Sequence, residues 1–431
     1  MSDSYKIAFL ADSHAGYAAK CRNHTRSGLN YRVLDGYKAL EETITQAIEE
    51  SVDLVLHGGD LFHRSWPSIT DIVWVRQQLN RLVTAGIPAY INTGNHDAAA
   101  ERGKSAATAA VHDPDRGIYC ITNPYSRLEP VEGLIIHTIS HYGLARAERI
   151  IPEPEDGSVN ILTAHGAAMV PGHEIFHCVD SPGEQPIGLD LLTDDRFDVT
   201  LLGHYHGMGE IMPNVWYAGS SIRRGFSDPA GGRGWLLASV AADGSVTVSP
   251  RYISQRAQHD LPKIDAAGLT GPDVEDRIRY NLSTVDLEDA IVRQVVTNCS
   301  AAIRRGVDQS SLHNETKNTL MWMPDFRRPA AAGTPQDRTV ESVGQSLRTS
   351  AASDLPRMYE GWFDGYSERI PEEFHPHVRE EGARLLKAVS EDVETGDHTF
   401  DPETETDVVP SAAAPAAPAT PETDGDPEKS R

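Results

Sequence analysis

The chain opens on an apolar run at 5–12 (YKIAFLAD) that closes on an acid, Asp12. Odd and even positions are both apolar, the pattern of a strand covered on both faces, not of a sheet with one wet side. VDLVLHGGD (52–60) repeats it, passing from apolar run to glycines to acid, and IPAYINTGNHD (87–97), VNILTAHG (159–166) and DVTLLGHYH (198–206) each pass from apolar to polar. Helical spacing separates the first three, with Leu40, Ile44, Ala47 and Ile48 inside 36–50, then Ile69, Ile72, Val73, Leu79 and Leu82 inside about 68–84. LIIHTIS (134–140) adds another strand. Such alternation predicts an α/β layered fold. Five of these strands end in polar residues, and C-terminal strand ends are where open α/β sheets hold their ligands.

Beyond 230 the pattern changes. Hairpin strands are expected near 235–239 and 246–253, completing a main domain over 1–250. Residues 251–320 combine a helical stretch with a strand at AIVRQVV (290–296), a small α+β domain. A linker is expected at 321–350, beginning with a Pro/Ala/Gly-rich stretch, and helices at 351–393. There Leu355, Met358, Tyr359, Trp362, Phe363 and Tyr366 form one bulky apolar stripe, and Val378, Leu385, Leu386 and Val389 share a face of a second helix. Residues 394–431, rich in Asp, Glu, Pro, Ala and Thr, have too little apolar surface to fold.

Composition narrows the class. Across 431 residues, 39% hydrophobic and 7% aromatic content fits a soluble globular protein. No window approaches the ~18 apolar residues of a membrane span, and MSDSYKIAFL reads as a first strand, not a secretion signal. The cysteines Cys21, Cys120, Cys178 and Cys299 are scattered without a CxxC pair, against a disulfide scaffold or zinc knot. A reducing, cytoplasmic setting is expected. Net charge is −24, and residues 393–431 supply ten acids against two bases. The remainder is still acidic, which counts against a nucleic-acid partner unless specific motifs outweigh it.

The motifs are specific as a set. Asp12 and His14 (DSH), Asp60 (GGD), Asn95 (GNHD), His165 (AHG), and His204 with His206 (GHYH) are candidate metal ligands. Two divalent cations about 3.5–4 Å apart need a shared anionic bridge, which a carboxylate supplies. Imidazoles and an amide oxygen suit Mn²⁺, Fe²⁺ or Zn²⁺ better than Mg²⁺. Such ions polarise a phosphoryl group and lower the pKa of a bound water. A lone DxH or GHxH occurs by accident in surface loops, and a single histidine is more often structural. All of these in order, each closing a strand, is hard to assign to chance.

This order resembles the calcineurin-like metallophosphoesterase superfamily, whose motifs run D-x-H, G-D, G-N-H-[DE], H and G-H-x-H. The resemblance implies a four-layer α/β/β/α sandwich with a small α+β capping domain and C-terminal helices. It implies one metal held by Asp12, His14, Asp60 and His206, another by Asp60, Asn95, His165 and His204, and a catalytic His96 facing the phosphate, oriented by Asp97. Mn²⁺ is the expected ion at both positions.

Finer likenesses point to the SbcD-type nucleases of double-strand-break repair. GGDLFHRSWPS (58–68) is similar to their second motif, which implies a strand-positioning role for His63. GNHDAAAERGKS resembles the loop leading to their dimer helices, WYAGSSIRRGF (216–226) their segment after the last metal histidines, and HDLPKIDAAGL (259–269) the start of their cap. The resemblance runs over about 5–300 and implies a DNA exo/endonuclease, a homodimer, and C-terminal helices that grip an SbcC-type coiled-coil ATPase. Arg64, Arg102, Lys104, Arg223 and Arg224 lie beside the motifs and are candidate DNA contacts. Two rivals stay open. One is a phosphodiesterase or phosphatase acting on nucleotides or small diesters, which the acidic balance favours. The other is a non-catalytic DNA-end scaffold for an ATPase, which would not need the full ligand set.

Overall fold

The computed structural model describes residues 4–99, 104–146, 149–170 and 185–329, with isolated positions at 375–376, 379–380 and 384. The chain divides into two units, Met1–Thr334 and Pro335–Arg431, and the first holds nearly all described residues. The expected helices of 351–393, apart from those isolated positions, and the expected tail at 394–431 lie outside the described residues.

The elements of the main domain run β1 (Tyr5–Leu10), α1 (Tyr31–Glu49), β2 (Leu54–His57), α2 (Ile69–Thr84), β3 (Ala89–Asn92), β4 (Ile118–Ile121), β5 (Tyr125–Val131), β6 (Leu134–Ile139) and α3 (His141–Leu144). They continue with β7 (Val159–His165), β8 (Ala167–Ala168), β9 (Pro186–Ile187), α4 (Leu189–Leu192), β10 (Val199–Gly203), β11 (Gly209–Met212), β12 (Val215–Tyr217), β13 (Gly234–Val240) and β14 (Val246–Tyr252). They build two six-stranded sheets, ordered β14-β13-β1-β2-β3-β4 and β11-β12-β10-β7-β6-β5. The strands that carry the candidate ligands are parallel to their ligand-bearing neighbours, β1 to β2, β2 to β3 and β7 to β10. Their C-terminal ends therefore emerge on one edge of each sheet.

Period-two alternation explains the continuous apolar runs. Ile7 and Phe9 of β1, with Leu54 and Leu56 of β2, join Leu134, Ile136, Ile161 and Leu201 in the core between the sheets. The intervening Ala8, Leu10 and Val55 face the other way, against Leu40 and Ile44 of α1 and Val75, Leu79 and Leu82 of α2. Each such Leu or Ile, fully withdrawn from water, contributes about 1.5–3 kcal/mol. On the far side of the second sheet, Leu162, Ala164 and Leu202 pack on Ile187 and on Leu191 and Leu192 of α4. The α/β/β/α layering is thus present, but among the described residues its second helical layer is slight, because α3 and α4 span four residues each.

Local sequence sets the helix starts. Asn30 caps α1 by accepting from the Arg32 amide. Ser68 and Asp71 form a reciprocal capping box on α2. Asp71 also accepts from the Tyr37 hydroxyl at 2.6 Å, fastening α2 to α1 across their shared face.

The small domain comprises β15 (Gln258–Asp260), β16 (Ile264–Asp265), α5 (Gly271–Leu282), β17 (Ile291–Thr297), α6 (Ala301–Arg305), α7 (Gln309–Glu315) and β18 (Met321–Phe326). β17 is central, with β15 and β16 along one side and β18 along the other, all parallel to it. The expected end of this domain at 320 falls short. Trp322 and Phe326 of β18 pack on its core with Leu261, Val274, Ile278 and Val292, so the segment taken for the start of the linker is a strand. Pro324 gave the linker impression, yet proline is tolerated on an edge strand, where its missing N–H costs no ladder bond. Ion pairs tie the two domains: Arg256 Nη2 lies 2.7 Å from Asp35 on α1, and Arg22 Nη2 lies 2.7 Å from Asp289.

Candidate active site

The loops after β1, β2, β3, β7 and β10 converge. Four of the residues they present sit in the left-handed backbone region: Asp12 at φ 51°, His14 at 44°, Asp60 at 57° and His204 at 101°. Non-glycine residues rarely adopt it, at a cost of about 1–3 kcal/mol each, and they do so where the surroundings enforce it. The left-handed turns at Asp12 and His14 take the chain out of the strand path and aim both side chains at the site. Gly94 is required for a different reason. A side chain there would occupy the position of the Asp60 carboxylate.

Two groups of donors result, joined by Asp60. In the first, His14 Nε2 lies 3.3 Å from His206 Nε2, 3.6 Å from Asp60 Oδ2 and 3.9 Å from Asp12 Oδ1. His206 Nε2 is 3.8 Å from the same Asp12 oxygen. In the second, His165 Nε2 lies 3.5 Å from Asp60 Oδ1 and 3.1 Å from Asn95 Oδ1, and the Asn95 oxygen is 3.2 Å from His204 Nδ1. Ligands about 2.0–2.2 Å from one cation stand at these separations from each other. Asp12 Oδ1 and His14 Nδ1 are buried without a hydrogen-bond partner, and an orphaned carboxylate oxygen among imidazoles is what a missing cation would leave. The residues present fit a pair of divalent metals, with one Asp60 oxygen in each group.

Electrostatics agree. Burial raises the Asp12 carboxyl above its usual range. Burial would do the same to Asp60, but His165 beside it, with His14 and His96, holds it well below. Burial pulls the His165 imidazole down, yet Asp60 and Asp12 outweigh that and hold it up at about 9. The pocket attracts positive charge. To hold a metal His165 would have to give up that proton, since a ligating imidazole must be neutral.

Supporting contacts aim the ligands. His165 Nδ1 bonds the Gly58 carbonyl at 2.8 Å, and His206 Nδ1 lies 3.1 Å from Asp228 Oδ1. Both leave Nε2 turned to the site. The Asp12 Oδ2 oxygen accepts from the His204 amide at 2.8 Å.

The structure corrects the role expected of Asp97. It is buried and accepts from the amides of Leu61 at 2.9 Å and Phe62 at 2.7 Å, so it braces the loop that carries Asp60. His96 is instead fixed by the His63 carbonyl, 2.9 Å from its Nδ1, while its amide donates to Asp60 Oδ1 at 2.8 Å. The His63 ring lies along that of His96, with centroids 5.2 Å apart, and burial pulls His63 down to about 4, so it is neutral near pH 7. Arg224 reaches the edge of the site, where its charge lowers both His14 and His63. Arg223 turns over the Phe226 ring and bonds the Asp228 carbonyl. Arg64 is exposed, Lys104 lies over Trp66, and Arg102 lies outside the described residues.

Sequence reasoning missed Asp228 and His141. His141 is buried with its ring 5.8 Å from that of His204. It directly follows the stretch LIIHTIS (134–140), and that position, matching the other strand ends, was the available signal.

The profile of the calcineurin-like phosphoesterase family matches residues 5–208, a span that contains all of the converging ligands. The chain carries a calcineurin-like phosphoesterase domain. The chain is similar in sequence to the DNA double-strand break repair protein Mre11 of Haloferax volcanii, 26% identical over 67% of this chain and 60% of that protein. The Halobacterium salinarum protein of the same description is 27% identical over 68% of this chain and 70% of its own length. The chain thus spans 60% of the first relative. Among solved structures, a dimetal phosphatase from Danio rerio superposes at 10% identity with a TM-score of 0.34, over 57% of this chain and 98% of its own. That likeness is too loose to bear on function.

Proposed function

We propose that this chain is a Mn²⁺-dependent DNA exo/endonuclease that hydrolyses phosphodiester bonds at DNA ends, within an SbcC/SbcD-type repair complex. The observation that carries the reading is the Asp60 carboxylate, with one oxygen facing His14 at 3.6 Å and the other facing His165 at 3.5 Å. Asp12, His14, Asp60 and His206 would hold one ion, and Asp60, Asn95, His165 and His204 the other. When bound, such ions supply Lewis-acid charge for the phosphoryl oxygens and acidify water.

The chain's own residues do the rest. With Nδ1–H donated to the His63 carbonyl, His96 in its imidazolium form would carry a second proton on Nε2, give it to the departing sugar oxygen and become the neutral ring. His63, neutral and beside it, would contact the strand next to the scissile phosphate. Arg224 would pair with a phosphate oxygen. DNA as substrate is supported by the likeness to the DNA double-strand break repair proteins of Haloferax volcanii and Halobacterium salinarum and by the segment GGDLFHRSWPS. The acidic balance of the chain favours the second reading, a phosphodiesterase acting on nucleotides or small diesters.

Two partners belong to the proposal. Ile69 and Val73 on α2 are exposed, at 79% and 48%, one turn apart, which suits a homodimer face; sedimentation at micromolar concentration should give the dimer. The stripe from Leu355 to Tyr366 would bind the coiled-coil base of an SbcC-type ATPase. Deleting 336–392 should spare hydrolysis and end co-purification with that ATPase. Scattered cysteines fit a cytoplasmic setting.

The test of activity is cleavage of labelled duplex and hairpin DNA with added Mn²⁺, at low and high salt, with bis-p-nitrophenyl phosphate as control. DNA cleavage that disappears with EDTA and in His96→Ala is expected. Turnover of the small diester with DNA untouched would give the second reading precedence.

A further inference from the structure

Trp66 is 61% exposed, three residues beyond His63. An indole left in water forgoes several kcal/mol of burial, and what stands beside it bears on its use. It does not continue the apolar strip of α2 in character, because the Lys104 ammonium stands 5.6 Å above its ring. An apolar dimer contact would strip water from that charge at a cost. A flat π-face with a cation beside it, on a loop with exposed Arg64, is instead the chemistry that holds a nucleotide: the ring takes the base and the cations take the phosphates.

Reach limits where that base lies. Three residues of chain span at most about 11 Å, and stacked nucleotides rise about 3.4 Å each. His63 supports the His96 ring directly. Trp66 therefore stands within a few nucleotides of a phosphate that His96 would face. A base inside a duplex has both faces covered by its neighbours, so only a terminal or unpaired base can be taken by the indole.

We propose that Trp66, with Lys104 and Arg64, is a stacking subsite for a terminal or unpaired nucleobase next to the cut. The subsite directs the enzyme to frayed ends, overhangs and hairpin loops over internal duplex. This rests on the nucleic-acid reading given above.

The test uses the full chain in EDTA, which prevents cleavage, and two labelled hairpins with a three-nucleotide overhang, one normal and one abasic through the overhang. The wild type should bind the normal overhang about tenfold more tightly than the abasic one. Trp66→Ala should lose that preference and Trp66→Phe should keep most of it. Equal discrimination by Trp66→Ala and wild type would overturn the subsite. So would a Trp66→Ala loss that is the same on both hairpins and accompanied by monomers in sedimentation, which assigns Trp66 to the dimer face. Wild type that turns over bis-p-nitrophenyl phosphate but binds neither hairpin would remove the nucleic-acid reading, and the subsite with it.

Discussion

His206 Nδ1 stands 3.1 Å from the Asp228 carboxylate, and the other oxygen of Asp228 accepts from the Arg224 amide at 2.8 Å. One side chain thus fixes the ring of a candidate metal ligand and the backbone of the arginine at the edge of the site. The neighbouring imidazole draws the Asp228 carboxyl below its usual range despite the burial that opposes it.

Removing the charge at Asp228 should therefore weaken the metal group that contains His206 and leave the other unaffected. Asp228→Asn is expected to lower affinity for one of two Mn²⁺ ions by about ten- to a hundredfold. Calorimetric titration of the protein resolves this, because only one of two binding phases should move.

Asp60 serves both groups, so its loss should act differently. Asp60→Ala is expected to reduce bound Mn²⁺ from two ions per chain to fewer than one, measured after equilibrium dialysis. Retention of one tight ion would mean that the two groups fill independently.

Gly94 should tolerate no side chain. Gly94→Ala would push the Asp60 carboxylate aside, and crowding of this kind costs about 1–3 kcal/mol. Thermal unfolding should report that loss, and hydrolysis should fall at least as steeply because the displaced group is a proposed shared ligand.

Acid should loosen the fold through His57. Its Nδ1 accepts from the Gly59 amide and its Nε2 contacts Ser13 Oγ at 2.9 Å, so it is neutral, and burial pulls it from 6.5 to about 3. The unfolded chain takes up this proton first as pH falls. The stability that the neutral ring confers is complete above pH 6.5 and drains away toward pH 3. Between pH 7.5 and 4.5 the loss from this group is about 2–3 kcal/mol. Urea unfolding of His57→Gln should show a correspondingly shallower dependence.

Much of this was legible before any coordinates. Strands such as β1 and β7 were readable because both faces are covered, which forces an unbroken apolar run and leaves the polar ending as a contrast. Asp12, His14, Asp60, Asn95, His165, His204 and His206 were readable as a set because metal chemistry restricts residue type. What escaped depends on contacts that have no spacing in the chain. Asp228 meets His206 across 21 intervening positions of loop and strand, just past a segment read for its family likeness and its arginines. Asp97 adjoins His96 in sequence and was given to it for that reason, yet its carboxylate turns to the backbone of Leu61 and Phe62. β18 was hidden by Pro324, whose usual meaning is the end of structure.

The left-handed turns at Asp12, His14, Asp60 and His204 bear on how ions come and go. Contorted backbone of that kind is held by the packed sheets beneath it, not by whatever sits above. On that support the site would keep its shape without ions, and filling it would ask for no refolding. Exchange of one divalent ion for another would then be a contest between rivals for a rigid socket, decided by their relative affinities and by which ion the surroundings supply in excess.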